Sequence, residues 1–341
     1  MRIALDATYS IGDNLSGVGV YSDQLLRGTA ASGFAERWEW FYRSQRYWRA
    51  RSLPVPANVR RRFLAESLGS RGAGLFHGLN QRLPRRRFQR QVATFHDLFV
   101  LSADYSTPDF RARFAAQARH AAETADRIIA VSAFTASQVE GLLGISRQRI
   151  RVVHHGITPR VIPSLPRENV VLCVGAIQKR KNQTGLVQAF RAMPADWSLV
   201  LAGSEGFDAD HTLRAIEASP ARDRIQVTGY LSNEELSRWY GKARIFAFPS
   251  LDEGFGMPIL EAMAAGIPVV TGNGSSLPEV AGDAAVMVEA GSVNDLASAL
   301  CQLAQDETAR MEWIAKGRQR VQHFSWEKAV AETLAVYGEL L

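Results

Sequence analysis

Short apolar runs alternate with amphipathic stretches along the whole chain. In the first half RIALDA (2–7), WEWFY (38–42), GLFHG (74–78), VATFHD (92–97), RIIAVS (127–132) and IRVVHHG (150–156) read as strands. Such brief, nearly continuous apolar runs suit strands buried on both faces, as parallel sheets require. Between the later runs, FRARFAAQARHAAETA and SAFTASQVEGLLG carry helical spacing. Residues 158–167, TPRVIPSLPR, hold three prolines and no period, which predicts a linker. A second series then begins with VVLCVGA, WSLVLAG, RIQVTGY, ARIFAFPS, PVVTG and AAVMVE, and FSWEKAVAETLAVYGELL closes the chain as an amphipathic helix. The pattern predicts an α/β protein of two Rossmann-like domains, 1–165 and 166–322, whose parallel sheets face a central cleft. The closing segment, 323–341, is expected to pack back on the N-terminal domain.

Length and composition agree: 341 residues, 46% hydrophobic and 22% charged, suit two globular domains with full cores. No apolar run approaches the ~20 residues that cross a bilayer. The start, MRIALDATYS, reads as a first core strand rather than a signal peptide. The two cysteines, Cys173 and Cys301, sit among apolar residues, which suggests buried thiols in a reducing, cytoplasmic compartment. Charge changes the picture more. Residues 1–165 hold 24 Arg against 12 Asp plus Glu, and the remainder 16 basic against 22 acidic residues. A basic half beside an acidic one suggests that one face meets a polyanion or an anionic membrane.

Two stretches carry candidate chemistry. In 248–285, FPSLDEGFGMPILEAMAAGIPVVTGNGSSLPEVAGDAA, a strand ends at Pro249, a glycine-rich loop follows, and a helix starts at Pro258. A proline in the first helical turn, preceded by Gly254-Phe255-Gly256, offers free N–H groups and a positive dipole end to a diphosphate. Glu253 before the turn and Glu261 in the first turn of the helix suit hydroxyl-rich parts of one ligand better than its phosphates. In 171–190, VLCVGAIQKRKNQTGLVQAF, a strand ends in Gly175 and a short loop carries Lys179, Arg180 and Lys181. Cations at a strand end can neutralise a departing diphosphate without a metal. No Asp-x-Asp stands at a strand end, and the histidines are scattered, so no metal is expected.

The first stretch resembles the Glu, seven residues, Glu motif of retaining glycosyltransferase family 4, whose members have the two-domain GT-B fold. By that resemblance Glu253 contacts the transferred sugar, and Glu261 the ribose of a nucleotide-sugar. Gly254, Phe255, Gly256 and Met257 then present backbone to sugar and phosphates. The run Arg180-Lys181-Asn182 matches the family's strand–loop pattern, so Arg180 and Lys181 would stabilise the leaving nucleoside diphosphate. Many relatives carry Arg directly after the strand glycine, where this chain has Ala176, so the second cation is open. The resemblance also implies that Gly17 and Gly19, in Asn14-Leu15-Ser16-Gly17-Val18-Gly19, border the diphosphate and acceptor. Position 22 is Ser22, so the dinucleotide pattern G-x-G-x-x-G fails. His96, in Thr94-Phe95-His96-Asp97-Leu98, is implied as a sugar contact or catalytic helper. Asp97 either orients it or caps the next helix, and His77 either lines the cleft or is structural. Ser132 reads as an N-cap, and His154 and His155 receive no role.

The resemblance thus implies a retaining, metal-independent hexosyltransferase with no cofactor beyond its nucleotide-sugar substrate. Its variants of these motifs resemble bacterial cell-surface polysaccharide enzymes, which points to GDP-mannose, with UDP-glucose and UDP-N-acetylhexosamines as alternatives. The acceptor would be a glycan or lipid-linked glycan. The run WEWFYRSQRYWRAR, RRRF at 60–63 and RLPRRRFQR at 82–90 fit an anionic membrane, a polyanionic acceptor or a solvated basic face with Trp38 and Trp40 in the core. Nucleic acid is not expected, because no nucleic-acid-binding signature accompanies the arginines. Peripheral contact with the inner face of the cell membrane is the expected location. Rival classes are a nucleotide-sugar epimerase, which needs acid/base carboxylates these motifs do not supply, and a non-catalytic carbohydrate-binding partner.

Overall fold

The computed structural model describes residues 2–12, 15–35, 37–65 and 73–341. The chain forms two compact units, Met1–Gly156 with Phe324–Leu341, and Ile157–His323. In the first unit the strands are β1 (Arg2–Asp6), β2 (Arg37–Tyr42), β3 (Val59–Phe63), β4 (Leu75–Gly78), β5 (Arg90–Phe95), β6 (Arg127–Ala130) and β7 (Ile150–Val152). Its helices are α1 (Gly17–Ala31), α2 (Ser44–Ala50), α3 (Phe99–Ser102), α4 (Pro108–Thr124) and α5 (Ala133–Leu143). The second unit holds β8 (Glu168–Val174), β9 (Ser198–Ala202), β10 (Ile225–Gly229), β11 (Ala243–Phe248), β12 (Val269–Gly272) and β13 (Val286–Val288). Around them lie α6 (Gln183–Phe190), α7 (Ala209–Glu217), α8 (Asn233–Lys242), α9 (Met257–Ala264), α10 (Leu277–Ala281), α11 (Val293–Gln305) and α12 (Glu307–Val321). The last helix, α13 (Trp326–Gly338), belongs to the first unit and packs on α1.

Both sheets are parallel, in the orders β3-β2-β1-β4-β5-β6-β7 and β10-β9-β8-β11-β12-β13. Each runs outward in one direction and then restarts beside its first strand, so the order reverses between β1 and β4 and again between β8 and β11. In such doubly wound sheets ligands bind beyond the strands' C-terminal ends at this reversal. Side chains of β1 alternate across the sheet. Ile3 and Leu5 enter a core with Tyr21, Leu25, Trp326 and Tyr337, whereas Ala4 faces a core with Ala118, Ala121 and Val139. Helices thus cover both faces, which accounts for the continuous apolar runs. In the second unit Val171, Cys173, Leu199 and Ile245 pack against Leu186 and Phe190 of α6 and Leu300 of α11.

Every strand legible in the sequence is present. One more, β3, is made by residues that read as a basic run. VRRRF pairs in register with β2, Trp38 beside Val59 and Tyr42 beside Phe63, and forms one edge of the sheet. Trp38 and Trp40 are core residues, 0% and 8% exposed. The proline-rich linker is part of the second unit, which starts at Ile157 rather than at residue 166. It packs there: Arg160 donates to Asn233 of α8, and Pro163, Ile162 and Leu165 surround Gly241. Among the described residues no helix is long and apolar enough to cross a membrane.

Candidate functional site

The reversal point of the second sheet gathers the two stretches singled out in the sequence. After β8 the chain turns at Gly175 and makes a single tight turn, Lys179–Lys181, before α6. After β11 it runs through 249–256 into α9. The Leu251 N–H donates to the Arg180 carbonyl at 2.7 Å, which ties the two loops together. On this frame Lys181 Nζ donates to Glu253 Oε1, and Arg180 Nη1 donates to Glu253 Oε2 at 3.0 Å and to the Asp252 carbonyl at 2.9 Å. The Lys181 ammonium also lies 4.8 Å from the centre of the Phe248 ring. All three charged side chains are nearly buried. Burial alone would raise the Glu253 carboxyl, but Lys181 and Arg180 outweigh it and hold it down at about 2. Burial pushes the Lys181 ammonium down, with Glu253 opposing and Arg180 adding to the fall. Two cations therefore share the Glu253 carboxylate in a place largely shielded from water.

The loop between Glu253 and α9 is pinned from below by the turn after β12. Ser276 Oγ donates to the carbonyls of Glu253 at 2.8 Å and Phe255 at 3.0 Å, and the Glu253 N–H donates to Ser275 Oγ at 3.2 Å. Gly254, Phe255 and Gly256 are buried. Gly256 caps α9 at φ +98°, a left-handed conformation that favours glycine, and Met257 is already the first helical residue. Pro258 stands in the first turn, where its missing N–H removes no helical bond. Glu261 lies one turn further in than the sequence pattern implied. Its carboxylate accepts from Arg160 Nη2 at 3.0 Å and from the Tyr240 hydroxyl at 2.9 Å.

In the first unit, Gly17 and Gly19 form the first turn of α1 and not a loop. Ser16 caps that helix, its Oγ accepting from the Gly19 N–H at 3.3 Å, while Asn14 lies outside the described residues. His96 follows β5 at the C-terminal edge of the sheet and is 7% exposed. Its Nε2 meets the Leu79 carbonyl at 2.9 Å, which assigns the proton to that nitrogen and leaves Nδ1 as an acceptor. Burial lowers it to about 4, the Leu79 bond opposing, so it is neutral at pH 7. Asp97 does not cap α3, whose N-cap is Leu98. His77 is structural: Nδ1 pairs with the Tyr337 hydroxyl at 2.6 Å and Nε2 with Thr94 Oγ1 at 2.8 Å. Ser132 is an N-cap, its Oγ accepting from the Thr135 N–H at 2.9 Å.

Two sequence patterns match this chain, Glycosyltransferase Family 4 over residues 16–161 and Glycosyl transferases group 1 over residues 158–320. O-antigen chain mannosyltransferase B of Escherichia coli is 33% identical over 281 residues, covering 77% of this chain and 74% of that one. The chain belongs to glycosyltransferase family 4. Among solved structures, this glycosyltransferase is similar to sucrose-phosphate synthase from Thermosynechococcus elongatus, with a TM-score of 0.78 at 22% identity over 99% of this chain and 98% of that one. It is also similar to Anabaena Alr3699/HepE in complex with UDP and glucose, with a TM-score of 0.73 at 17% identity over 99% and 100% of the two chains. Those likenesses show the GT-B fold. Some curated relatives are longer, and the matched stretch spans 62% and 34% of two of them.

Three residues of this glycosyltransferase escaped the sequence reading. Arg160 sits in the linker, where nothing but its charge marked it. Tyr240 lies in the last turn of α8, in a stretch that offered no candidate. His155, which received no role, is buried and stacks on His96 with ring centres 5.3 Å apart. Among the described residues no group of His, Cys, Asp and Glu is arranged to hold a metal ion.

Proposed function

We propose that this glycosyltransferase is a retaining hexosyltransferase that moves mannose from GDP-mannose to a hydroxyl of a glycan or lipid-linked acceptor in cell-surface polysaccharide synthesis. The observation that carries the donor site is the Arg180–Glu253–Lys181 cluster at the sheet's reversal point, beside the N-terminus of α9. Its two cations and the helix dipole suit a diphosphate. Mannose is favoured by the E. coli mannosyltransferase at 33% identity.

In this mechanism Glu253 accepts hydrogen bonds from the sugar's hydroxyls and Glu261 from the ribose. The backbone N–H groups of Gly254 to Met257 turn toward sugar and phosphates. As the bond from the anomeric carbon to the diphosphate breaks, its electron pair leaves with the phosphate oxygen. Arg180 and Lys181 stabilise that charge in place of a metal ion. The acceptor oxygen bonds to the same face of the oxocarbenium-like carbon, and its proton passes to the departing oxygen, so the configuration is kept. Gly17 and Gly19 border the donor's diphosphate and the acceptor, and the Nδ1 of neutral His96 can accept from a sugar hydroxyl. The acceptor would be met at the inner face of the cell membrane.

Thermal shift with GDP-mannose, UDP-glucose and a UDP-N-acetylhexosamine, each with and without EDTA, tests this. A ligand at ~100 Kd should add ~2.7 kcal/mol of stability. A shift for GDP-mannose alone, unchanged by EDTA, is expected. A shift only with a UDP-sugar would overturn the donor, and a shift abolished by EDTA would overturn metal independence. The anomeric configuration of the product, read by NMR coupling constants, tests retention.

A further inference from the structure

The first unit carries an exposed surface that the proposed chemistry does not use. Residues 40–65 contain seven arginines and no acidic residue. Two of the seven are engaged inward: Arg43 Nε pairs with Asp6 at 3.2 Å, and Arg46 Nη1 donates to the Ile11 carbonyl at 2.6 Å. Arg49, Arg51, Arg60 and Arg62 are exposed, Arg62 with a contact to Glu39 at 3.2 Å. Among them stand large apolar side chains that a solvated basic face does not need. Trp48 is 64% exposed, Phe63 49% and Leu53 45%. They are not scattered. The Tyr47 ring meets Trp48 edge-on at 5.8 Å and Phe63 at 5.6 Å, and the Arg51 guanidinium lies 5.2 Å from the Trp48 ring centre. One aromatic ridge thus joins α2 to the end of β3, with arginines around it.

The other basic run, Arg85 to Arg87, does not belong to this surface. It precedes β5, whose Arg90 is in register with Leu75 at the start of β4, whereas Phe63 lies at the finishing end of β3 beside Tyr42. Because the sheet is parallel, the two runs occupy opposite edges. The ridge is on the edge that also carries His96.

We propose that this ridge is a docking surface for an anionic lipid bilayer. A soluble polyanion would satisfy the arginines but leave Trp48, Phe63 and Leu53 in water. A bilayer interface takes both, with tryptophan at headgroup level, apolar side chains below it and arginines on anionic headgroups. A second copy added along β3 would bring the exposed Arg60 and Arg62 of two chains together, the device by which edge strands avoid self-pairing. Docked this way, the edge bearing His96 faces the membrane surface. The proposal stands on the surface alone and does not depend on the identity of the donor.

The test is co-sedimentation of the full chain with phosphatidylcholine vesicles, with and without phosphatidylglycerol, at about 0.05 M and about 0.5 M salt. Binding is expected only to the anionic vesicles and to weaken at the higher salt. Arg49→Gln and Arg51→Gln should each lower partitioning about fivefold. Trp48→Ala with Phe63→Ser should abolish it while the chain still melts cooperatively, since Trp48 is 64% exposed and Phe63 about half exposed at the end of an edge strand. Brominated acyl chains should quench tryptophan fluorescence in the wild type, and Trp48→Phe should remove the quenched component while still sedimenting. Unchanged binding of the Trp48/Phe63 variant would overturn the proposal. So would binding to heparin with no bromine quenching, which would name a polyanion. Self-association relieved by that variant would name a second copy.

Discussion

At the scale of single residues, the chemistry rests on charges that neutralise one another. Glu253 is held ionised by Lys181 and Arg180, so its stabilising effect is complete above its ordinary value of 4.5 and is lost as the pH falls toward about 2. Glu253→Gln leaves two nearly buried cations without their carboxylate, and should destabilise the second unit by about 3 kcal/mol in denaturant titration. An unchanged midpoint would mean the cluster is solvated. Lys181→Ala should lower kcat about 10²-fold or more with a smaller change in donor KM; a wild-type kcat would remove Lys181 from the leaving-group role. Arg160 and Tyr240 both donate hydrogen bonds to Glu261. If that carboxylate accepts the ribose hydroxyls, Arg160→Gln and Tyr240→Phe should raise donor KM and leave kcat near wild type. They should also erase discrimination against a deoxyribose donor, which a merely structural role would not touch.

At the scale of elements, two close backbone arrangements decide where helices start. Gly256 lets the loop after β11 turn into α9, and a Cβ there would lie 3.1 Å from Leu277 Cδ2 in a left-handed conformation. Gly156 meets the start of α13 more tightly: a Cβ would lie 2.3 Å from the Trp326 nitrogen. That partner is backbone and cannot rotate away. Gly156→Ala should therefore undock α13 and destabilise the first unit by about 3 kcal/mol or more, seen as new proteolytic cleavage near residue 324. Resistance equal to wild type would show that α13 can shift without loss. These elements differed in how well they could be read. The strand–loop–helix units around 171–190 and 248–264 were plain, because apolar runs ended in glycine, proline and charge at fixed offsets. β3 was not, because its strand character comes from pairing with β2 rather than from its own arginine-rich sequence.

At the scale of the whole molecule, the chain leaves the first unit at Gly156 and returns at Phe324. Tyr337 hydrogen-bonds to His77, and Trp326 lies in the same core as Ile3 and Leu5. A chain ending at His323 should lose the cooperative melting of the first unit while the second still unfolds as one transition; two intact transitions would contradict this. The first unit loses stability at a higher pH than the loss of the Glu253 charge brings to the second. Burial lowers His77 to about 3, with His96 adding, and His96 to about 4, and it lowers His155 as well. The unfolded chain takes up protons first, so stability is full above pH 6.5 and falls below it by about 1.4 kcal/mol per histidine per pH unit. Melting of the first unit at pH 7.5 and 5.5 measures this, and a flat profile would mean that the histidines are charged in the fold.

What the sequence by itself determined is local and periodic. Apolar period, glycine and proline punctuation and charge at strand ends dictated the α/β architecture, the doubled sheet, the helix caps and the stretches carrying Glu253, Glu261, Arg180 and Lys181. Those signals survive in one dimension because each depends on neighbours within a turn or a strand. Only the tertiary structure decided which charges meet. The joining of Arg180 and Lys181 to Glu253, and of Arg160 to Glu261, spans 73, 72 and 101 residues of chain. The same holds for the aromatics near the N-terminus, where Trp38 and Trp40 are core and Trp48 is surface although all three stand in one run. Trp38 and Trp40 lie on β2 inside the sheet, whereas Trp48 lies on α2. Which side of an element is covered is set by packing against parts of the chain that a sequence read alone does not bring together.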